Sequence, residues 1–251
     1  MGNKKRKRRL SKKKLSTLTV VSVVLATSFL NSKKESSSKN EEVQAASRIE
    51  NTQEDINKEE KIIEKSVFKV VIDASFGGSD GGSKGYNNIL QKNVNLDIAL
   101  KMKEILEMHE DIEVVLTRDK DVTMSIDERV EIINNSGADL LVSIMQNNEG
   151  TGTVKGVESY ILPREHKMSN TTFGYTLQQA MAMYVDTNDR GVLAKNLDIL
   201  LKSSVPGAVV NTGFISNKEE GTNLSSESYQ LRMAEGLSQG ILSYIDKHLK
   251  E

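Results

Sequence analysis

The chain has 251 residues, enough for one domain of about 180 residues with its own core, plus a leader. It has no cysteine, which excludes disulfides, thiolate metal sites and a cysteine nucleophile. The formal net charge of −1 hides an asymmetry: residues 4–14 hold nine Lys or Arg, leaving 25 basic against 35 acidic groups elsewhere, and an acidic body argues against nucleic-acid binding.

The basic block precedes an uncharged, mostly apolar run, Leu15 to Leu30. As a helix it would rise roughly 24 Å, somewhat short of a ~30 Å hydrocarbon core. A basic start followed by a short apolar run reads as an export signal, either a membrane anchor or a cleaved signal peptide. In both readings residues 31 onward lie outside the cytoplasm, the membrane contact being residues 15–30. Residues 31–66 are rich in Ser, Lys, Glu, Asn and Gln and read as a solvated linker, with Ile56 to Lys65 as a short helical stalk.

From residue 67 to 251 the pattern is that of a folded domain. Val67–Asp73 reads as a strand buried on both faces. Val94, Ile98, Met102 and Ile105 fall at helical spacing, which predicts a helix over Asn93–Met108. Ile112–Thr117 follows as a strand. Ser125 with Glu128 three residues on forms a capping box that opens a helix carrying Ile126, Val130 and Ile133. Ala138–Met145 and Val157–Leu162 read as strands, and Phe173, Leu177, Met181 and Tyr184 mark a helix. Leu197–Leu201 and Ala208–Asn211 are read as strands, and Met233, Leu237, Ile241 and Tyr244 stripe a last helix. This alternation predicts an α/β fold, a mostly parallel twisted sheet flanked by helices on both faces. Ligands in such folds gather beyond the carboxyl ends of the strands.

Four segments carry the chemistry: Val71-Ile72-Asp73-Ala74-Ser75-Phe76-Gly77-Gly78, Gln91-Lys92-Asn93-Val94-Asn95-Leu96, Val142-Ser143-Ile144-Met145-Gln146-Asn147, and Val210-Asn211-Thr212-Gly213-Phe214-Ile215-Ser216-Asn217. Asn95-Leu96-Asp97-Ile98-Ala99, Thr117-Arg118-Asp119, Gly137-Ala138-Asp139-Leu140 and Gly156-Val157-Glu158 flank them in order. Together, over about residues 67–249, they resemble the zinc-dependent N-acetylmuramoyl-L-alanine amidases, which cut between the lactyl group of peptidoglycan and its stem peptide. The resemblance implies that family's fold. It also implies two histidines and a glutamate holding zinc, with a second glutamate handling protons. Those four positions are here Phe76, Gln91, Met145 and Asn211.

A catalytic zinc takes three protein ligands, usually imidazole or carboxylate, and keeps an open position for water. Phe76 has no lone pair, Gln91 offers a neutral amide oxygen, and Met145 offers a thioether better suited to copper(I). Asn211 cannot take a proton. The expectation is therefore no zinc cofactor and no catalytic base. The three histidines, His109, His166 and His248, stand away from the ligand positions and read as surface residues. Asp73, Asp80 and Glu158 leave open a carboxylate-only site for calcium or magnesium. The loop Gly77–Gly85 matches neither phosphate-binding glycine pattern in register and reads as a mobile loop beside the cleft.

Arg118 and Arg129 read as structural charge partners, with a contact to a stem-peptide carboxylate as the second reading. Asn147 and Asn217 either hydrogen-bond a glycan or peptide or tie down the loops they begin. Phe76 and Met145 make the former metal position apolar, suited to anchoring a protein partner. The reading is thus an exported cell-envelope protein of amidase fold that binds a protein partner or peptidoglycan without cutting it. The rival is a working amidase with an altered site.

Overall fold

In a computed structural model, residues 67–162 and 168–250 are described. The basic leader, the apolar run, the linker with its stalk, and His166 lie outside them. Among the described residues, no helix is long and apolar enough to cross a membrane.

The elements in chain order are β1 (Phe68–Ala74), α1 (Gln91–Leu106), β2 (Ile112–Leu116), α2 (Ile126–Asn135), β3 (Leu140–Asn147), β4 (Val157–Ile161), α3 (Met168–Val185), β5 (Asp189–Ala194), α4 (Asp198–Lys202), β6 (Gly207–Phe214), α5 (Lys218–Leu224) and α6 (Glu227–His248). The six strands form one sheet in the order β2-β1-β3-β6-β4-β5. β1, β2, β3 and β6 are parallel to one another, whereas β4 pairs antiparallel with β6 and parallel with β5.

Alternating strand residues build two cores, because successive side chains point to opposite faces. Val70, Ile72 and Ala74 of β1 pack with α1, α3 and α6, burying Ile98, Met102, Phe173, Leu177, Met233 and Ile241 completely. Phe173 and Tyr244 lock two of these helices together, ring centroids 4.8 Å apart. Val71, Leu141, Val209 and Tyr160 face the other way, under Val130 and Ile133 of α2 and Ile199 and Leu200 of α4. The capping box of α2 forms in full: Glu128 N donates to Ser125 Oγ, and Ser125 N donates to Glu128 Oε2 at 2.7 Å.

Two strand assignments are corrected. Leu197–Leu201 is not a strand; most of it is the short helix α4, which buries the adjacent Ile199 and Leu200 and carries Asp198 in its first turn. Such a brief apolar run has no period that separates helix from strand. The additional strand β5 is half-exposed to exposed along its length and mixes Asp189, Arg190 and Gly191 with apolar residues, so it shows neither alternation nor a continuous apolar run. The reversed direction of β4 has a functional consequence. It brings Glu158, at the start of that strand, to the same end of the sheet as the carboxyl ends of β1, β3 and β6.

Candidate functional site

At that end of the sheet, Met145 of β3, Asn211 of β6 and Glu158 of β4 are register neighbours on three adjacent strands. Phe76 follows β1, and Gln91 opens α1. The four family positions therefore lie at one end of the sheet, on the loop after β1, the start of α1 and the adjacent parallel strands β3 and β6.

Each of the four is engaged within the fold. Gln91 is 3% exposed. Its Oε1 accepts from Ser83 N at 2.7 Å, and its Nε2 donates to the Gln146 carbonyl. The Gln146 side chain, itself fully buried, donates from Nε2 to Asn95 Oδ1 at 2.8 Å and to Thr212 Oγ1 at 2.9 Å. Asn95 Nδ2 in turn donates to Ser75 O at 2.8 Å. A continuous amide network thus joins the loop after β1, the start of α1 and the ends of β3 and β6. Asn211 is fully buried; its Oδ1 accepts from Asn147 N at 2.7 Å, while its Nδ2 has no partner among the described residues. Met145 packs half-buried against the second core.

Phe76 has φ of 66°, a left-handed conformation uncommon for a bulky side chain. Its ring lies so close to Gly82 that a Cβ there would sit 2.8 Å from Phe76 Cδ2 and 2.5 Å from Gln91 Oε1. Only glycine allows this approach.

The glycine loop is fastened rather than loose. Gly78 N donates to Asp121 Oδ1 at 2.7 Å, Ser79 N to Thr123 Oγ1 at 2.8 Å, and Lys92 Nζ to Gly78 O at 2.8 Å. Arg118, 4% exposed, spends its donors on main-chain carbonyls: Nε on Ala74 at 2.9 Å and an Nη on Lys92 at 2.7 Å. Burial lowers its guanidinium pKa. Arg129 Nη1 meets Asp73 Oδ2 at 2.6 Å inside the fold, and Thr117 and Ser143 hydroxyls complete that carboxylate's shell. Both arginines serve as structural ties in this arrangement.

Asp73, Asp80 and Glu158 are not brought together. Asp73 is paired with Arg129, Asp80 lies exposed in the glycine loop, and Glu158 has its own partners. Among the described residues no three His, Cys, Asp or Glu side chains form a group able to hold a metal. His109 is exposed just past α1, and His248 sits in the last turn of α6 with its ring 4.9 Å from that of Tyr244.

Glu158 is the carboxylate nearest the Asn211 position by register. It is 4% exposed. It accepts from Asn147 Nδ2 and Tyr160 OH on Oε1 and from Arg190 Nε on Oε2, the last at 2.9 Å. Burial, reinforced by the hydrogen bond to Glu158, pushes the Tyr160 phenol well above its ordinary pKa. Asn147 therefore ties down a carboxylate, and Asn217 caps α5, its Oδ1 accepting from Glu219 N at 2.9 Å. Two cations missed in the sequence complete this region. Arg190 Cζ lies 5.0 Å from the Phe214 ring centroid, and Lys195 Nζ lies 4.6 Å from that of Tyr160. No sequence signal marked them, because the edge strand β5 carries no periodic pattern.

The sequence profile of the N-acetylmuramoyl-L-alanine amidases matches residues 70–243. The sporulation-specific N-acetylmuramoyl-L-alanine amidase of Bacillus subtilis (strain 168) is 34% identical over 176 residues, covering 70% of this chain and 67% of that protein. The crystal structure of the N-acetylmuramoyl-L-alanine amidase from Clostridium difficile 630 matches with a TM-score of 0.70 at 35% identity, over 73% of this chain and 99% of the other. The CwlD amidase of Clostridioides difficile, solved in complex with the GerS lipoprotein, matches with a TM-score of 0.67 at 27% identity, over 71% of this chain and 98% of the other. The chain belongs to the N-acetylmuramoyl-L-alanine amidase family.

Proposed function

We propose that this chain is a non-catalytic member of its family, an extracytoplasmic cell-envelope protein that acts by binding. The observation that carries the reading is Gln91. Its amide bonds at both ends inside the fold, so the residue standing where the family places a ligating glutamate is a structural strut. The rest of the donor set does not fit a catalytic zinc either: Phe76 has no lone pair, and Met145 offers a thioether packed against the core. Asn211 has no basic atom to receive a proton from water, and Glu158 beside it is already bound by three donors. A hydrolase with an altered site would need a metal or a free base that these residues do not supply.

The bound partner in this reading is a protein of the envelope, with peptidoglycan, the substrate of the relatives, as the alternative. The CwlD amidase complexed with a lipoprotein supports the first, since it is a related domain held by a protein partner. The basic leader with the apolar run at residues 15–30 supports an extracytoplasmic location, as an anchor or a cleaved signal. Metal analysis of the purified full-length chain, paired with an assay of stem-peptide release from peptidoglycan, tests the proposal. No stoichiometric zinc and no release are expected. About one equivalent of zinc after dialysis, with release abolished by a chelator, would overturn it.

A further inference from the structure

Beside Asn211 the sheet carries a groove of ≈ 640 Å³, with Tyr160, Glu158, Arg190, Leu193, Lys195 and Phe214 in its lining. Its central carboxylate is engaged on both oxygens, whereas its cations keep unused donors among the described residues. The acceptors of Glu158 are taken by Tyr160, Asn147 and Arg190 Nε. Asp189, at the start of β5, receives Gln178 Nε2 and Gly191 N on Oδ1, and Glu149 at the rim receives Thr151 Oγ1 on Oε2, so each of these two carboxylates is engaged through one oxygen. The donors are different. Arg190 uses only Nε on a protein partner among the described residues, so both terminal nitrogens remain available. Its guanidinium is held edge-on by Glu158 and face-on by Phe214, a preorganised fork for a carboxylate. Lys195 Nζ rests over the Tyr160 ring, with no carboxylate in ion-pair range among the described residues. Both cations flank one Glu158–Tyr160 pair.

The strand that carries Arg190 is also the open edge of the sheet. Among the described residues β5 pairs only with β4, so half its main-chain groups face away from any described strand. The register slips between Val157 and Ser159, where three residues of β5 span two of β4. This is a bulge, a device that re-aims a side chain, and here Arg190 is the residue turned onto Glu158. Leu193, 47% exposed, lines the groove three residues further along β5.

We propose that β5 and this groove bind an extended acidic segment of a partner polypeptide, its backbone adding to the edge of β5 and a carboxylate seated between Arg190 and Lys195. The proposal rests on the binding function above and names the site and ligand chemistry for it. A polypeptide is favoured over a glycan because only a polypeptide carries main-chain amides able to continue the ladder. The arginine fork and Lys195, which has no carboxylate partner among the described residues, select the acidic side chain.

The test uses the full-length chain and a short blocked peptide of alternating Glu and Val, with a control peptide in which each Glu is Gln. Binding is read by calorimetry, and disaccharide–peptide fragments of peptidoglycan are titrated in parallel. The Glu peptide should bind about tenfold more tightly than the Gln peptide, as one charge-assisted contact implies. Lys195→Glu, a surface change, should abolish that preference, and Arg190→Gln, which keeps a donor for Glu158, should weaken it. Thermal unfolding of each variant checks its fold. No measurable binding of the Glu peptide, equal binding of the two peptides, a preference that survives both variants, or binding of the peptidoglycan fragments alone would overturn the assignment. Zinc-dependent amidase turnover would instead sink the binding function itself, so the two failures are distinguishable.

Discussion

Replacing Gln91 with the residue its family position implies should destabilise this protein. In Gln91→Glu one carboxylate oxygen still accepts from Ser83 N, but the second faces the Gln146 carbonyl with no proton to give. The variant loses one buried hydrogen bond, worth about 1 kcal/mol. It also strands a buried acceptor, at about 1–3 kcal/mol more, and buries a charge without a counterion. The lost hydrogen bond and the stranded acceptor alone come to about 2–4 kcal/mol at neutral pH, or a fall in Tm of about 5–15 °C for a domain of this size, and the buried charge adds to it. The sign of the pH dependence follows from the same geometry. Burial and the facing carbonyl raise the new carboxyl's pKa in the folded state, because the protonated form can donate to Gln146 O. The deficit should therefore shrink as pH falls through that raised value and be full above it. Gln91→Met, near in shape but unable to bond at either end, should lose stability by a pH-independent amount. Thermal unfolding of the three proteins between neutral and mildly acid pH measures all of this. A Gln91→Glu variant as stable as the parent at neutral pH, and raised further in Tm by zinc, would refute the strut and show that the ligand positions still assemble around a metal.

Three further outcomes are expected. Asp73→Ala removes the ion-pair partner that the buried Arg129 has among the described residues and should lower stability by about 3–5 kcal/mol, read as a lower urea midpoint at unchanged slope. Glu220, 2% exposed, accepts from Phe214 N and Gly156 N, and burial raises its pKa above the ordinary carboxylate value. The folded state then binds that proton more tightly than the unfolded one, so Glu220 should add stability as pH falls toward about 4.5, a trend that Glu220→Gln should flatten. Asp111, whose pKa is lowered by its hydrogen bond to Lys250, acts in the opposite sense, losing its contribution only below the ordinary carboxylate range. Finally, Phe76→His, Gln91→Glu and Met145→His combined should take up zinc, since the four elements still converge and histidine tolerates the left-handed backbone at position 76 better than phenylalanine does. Release of stem peptide should additionally need Asn211→Glu. A folded triple variant that leaves dialysis without zinc would show that the cleft no longer accepts the metal geometry.

The sequence by itself determined the fold class and the place of the site. Apolar runs such as Val70 to Ile72 and helical stripes such as Met233, Leu237 and Ile241 are local records of burial, and burial on both faces of a strand implies helices on both sides. The capping box at Ser125 was legible for the same reason, being a contact between residues three apart. The replacements at Phe76, Gln91, Met145 and Asn211 were legible because short motifs hold their register. What only tertiary structure decided was pairing at long range. Nothing local tells β4 to run against β6, yet that reversal delivers Glu158 to the site. Nothing local tells Gln91 that the Gln146 carbonyl, 55 residues away, will take its amide proton, or Arg118 that the carbonyl of Ala74 will take its own. β5 leaves no periodic trace because it is exposed or half-exposed along its whole length, so Arg190 and the Lys195 that follows the strand became visible only when the chain was folded. Burial patterns are written along the chain, but the partner of a polar group is fixed by which distant element arrives beside it.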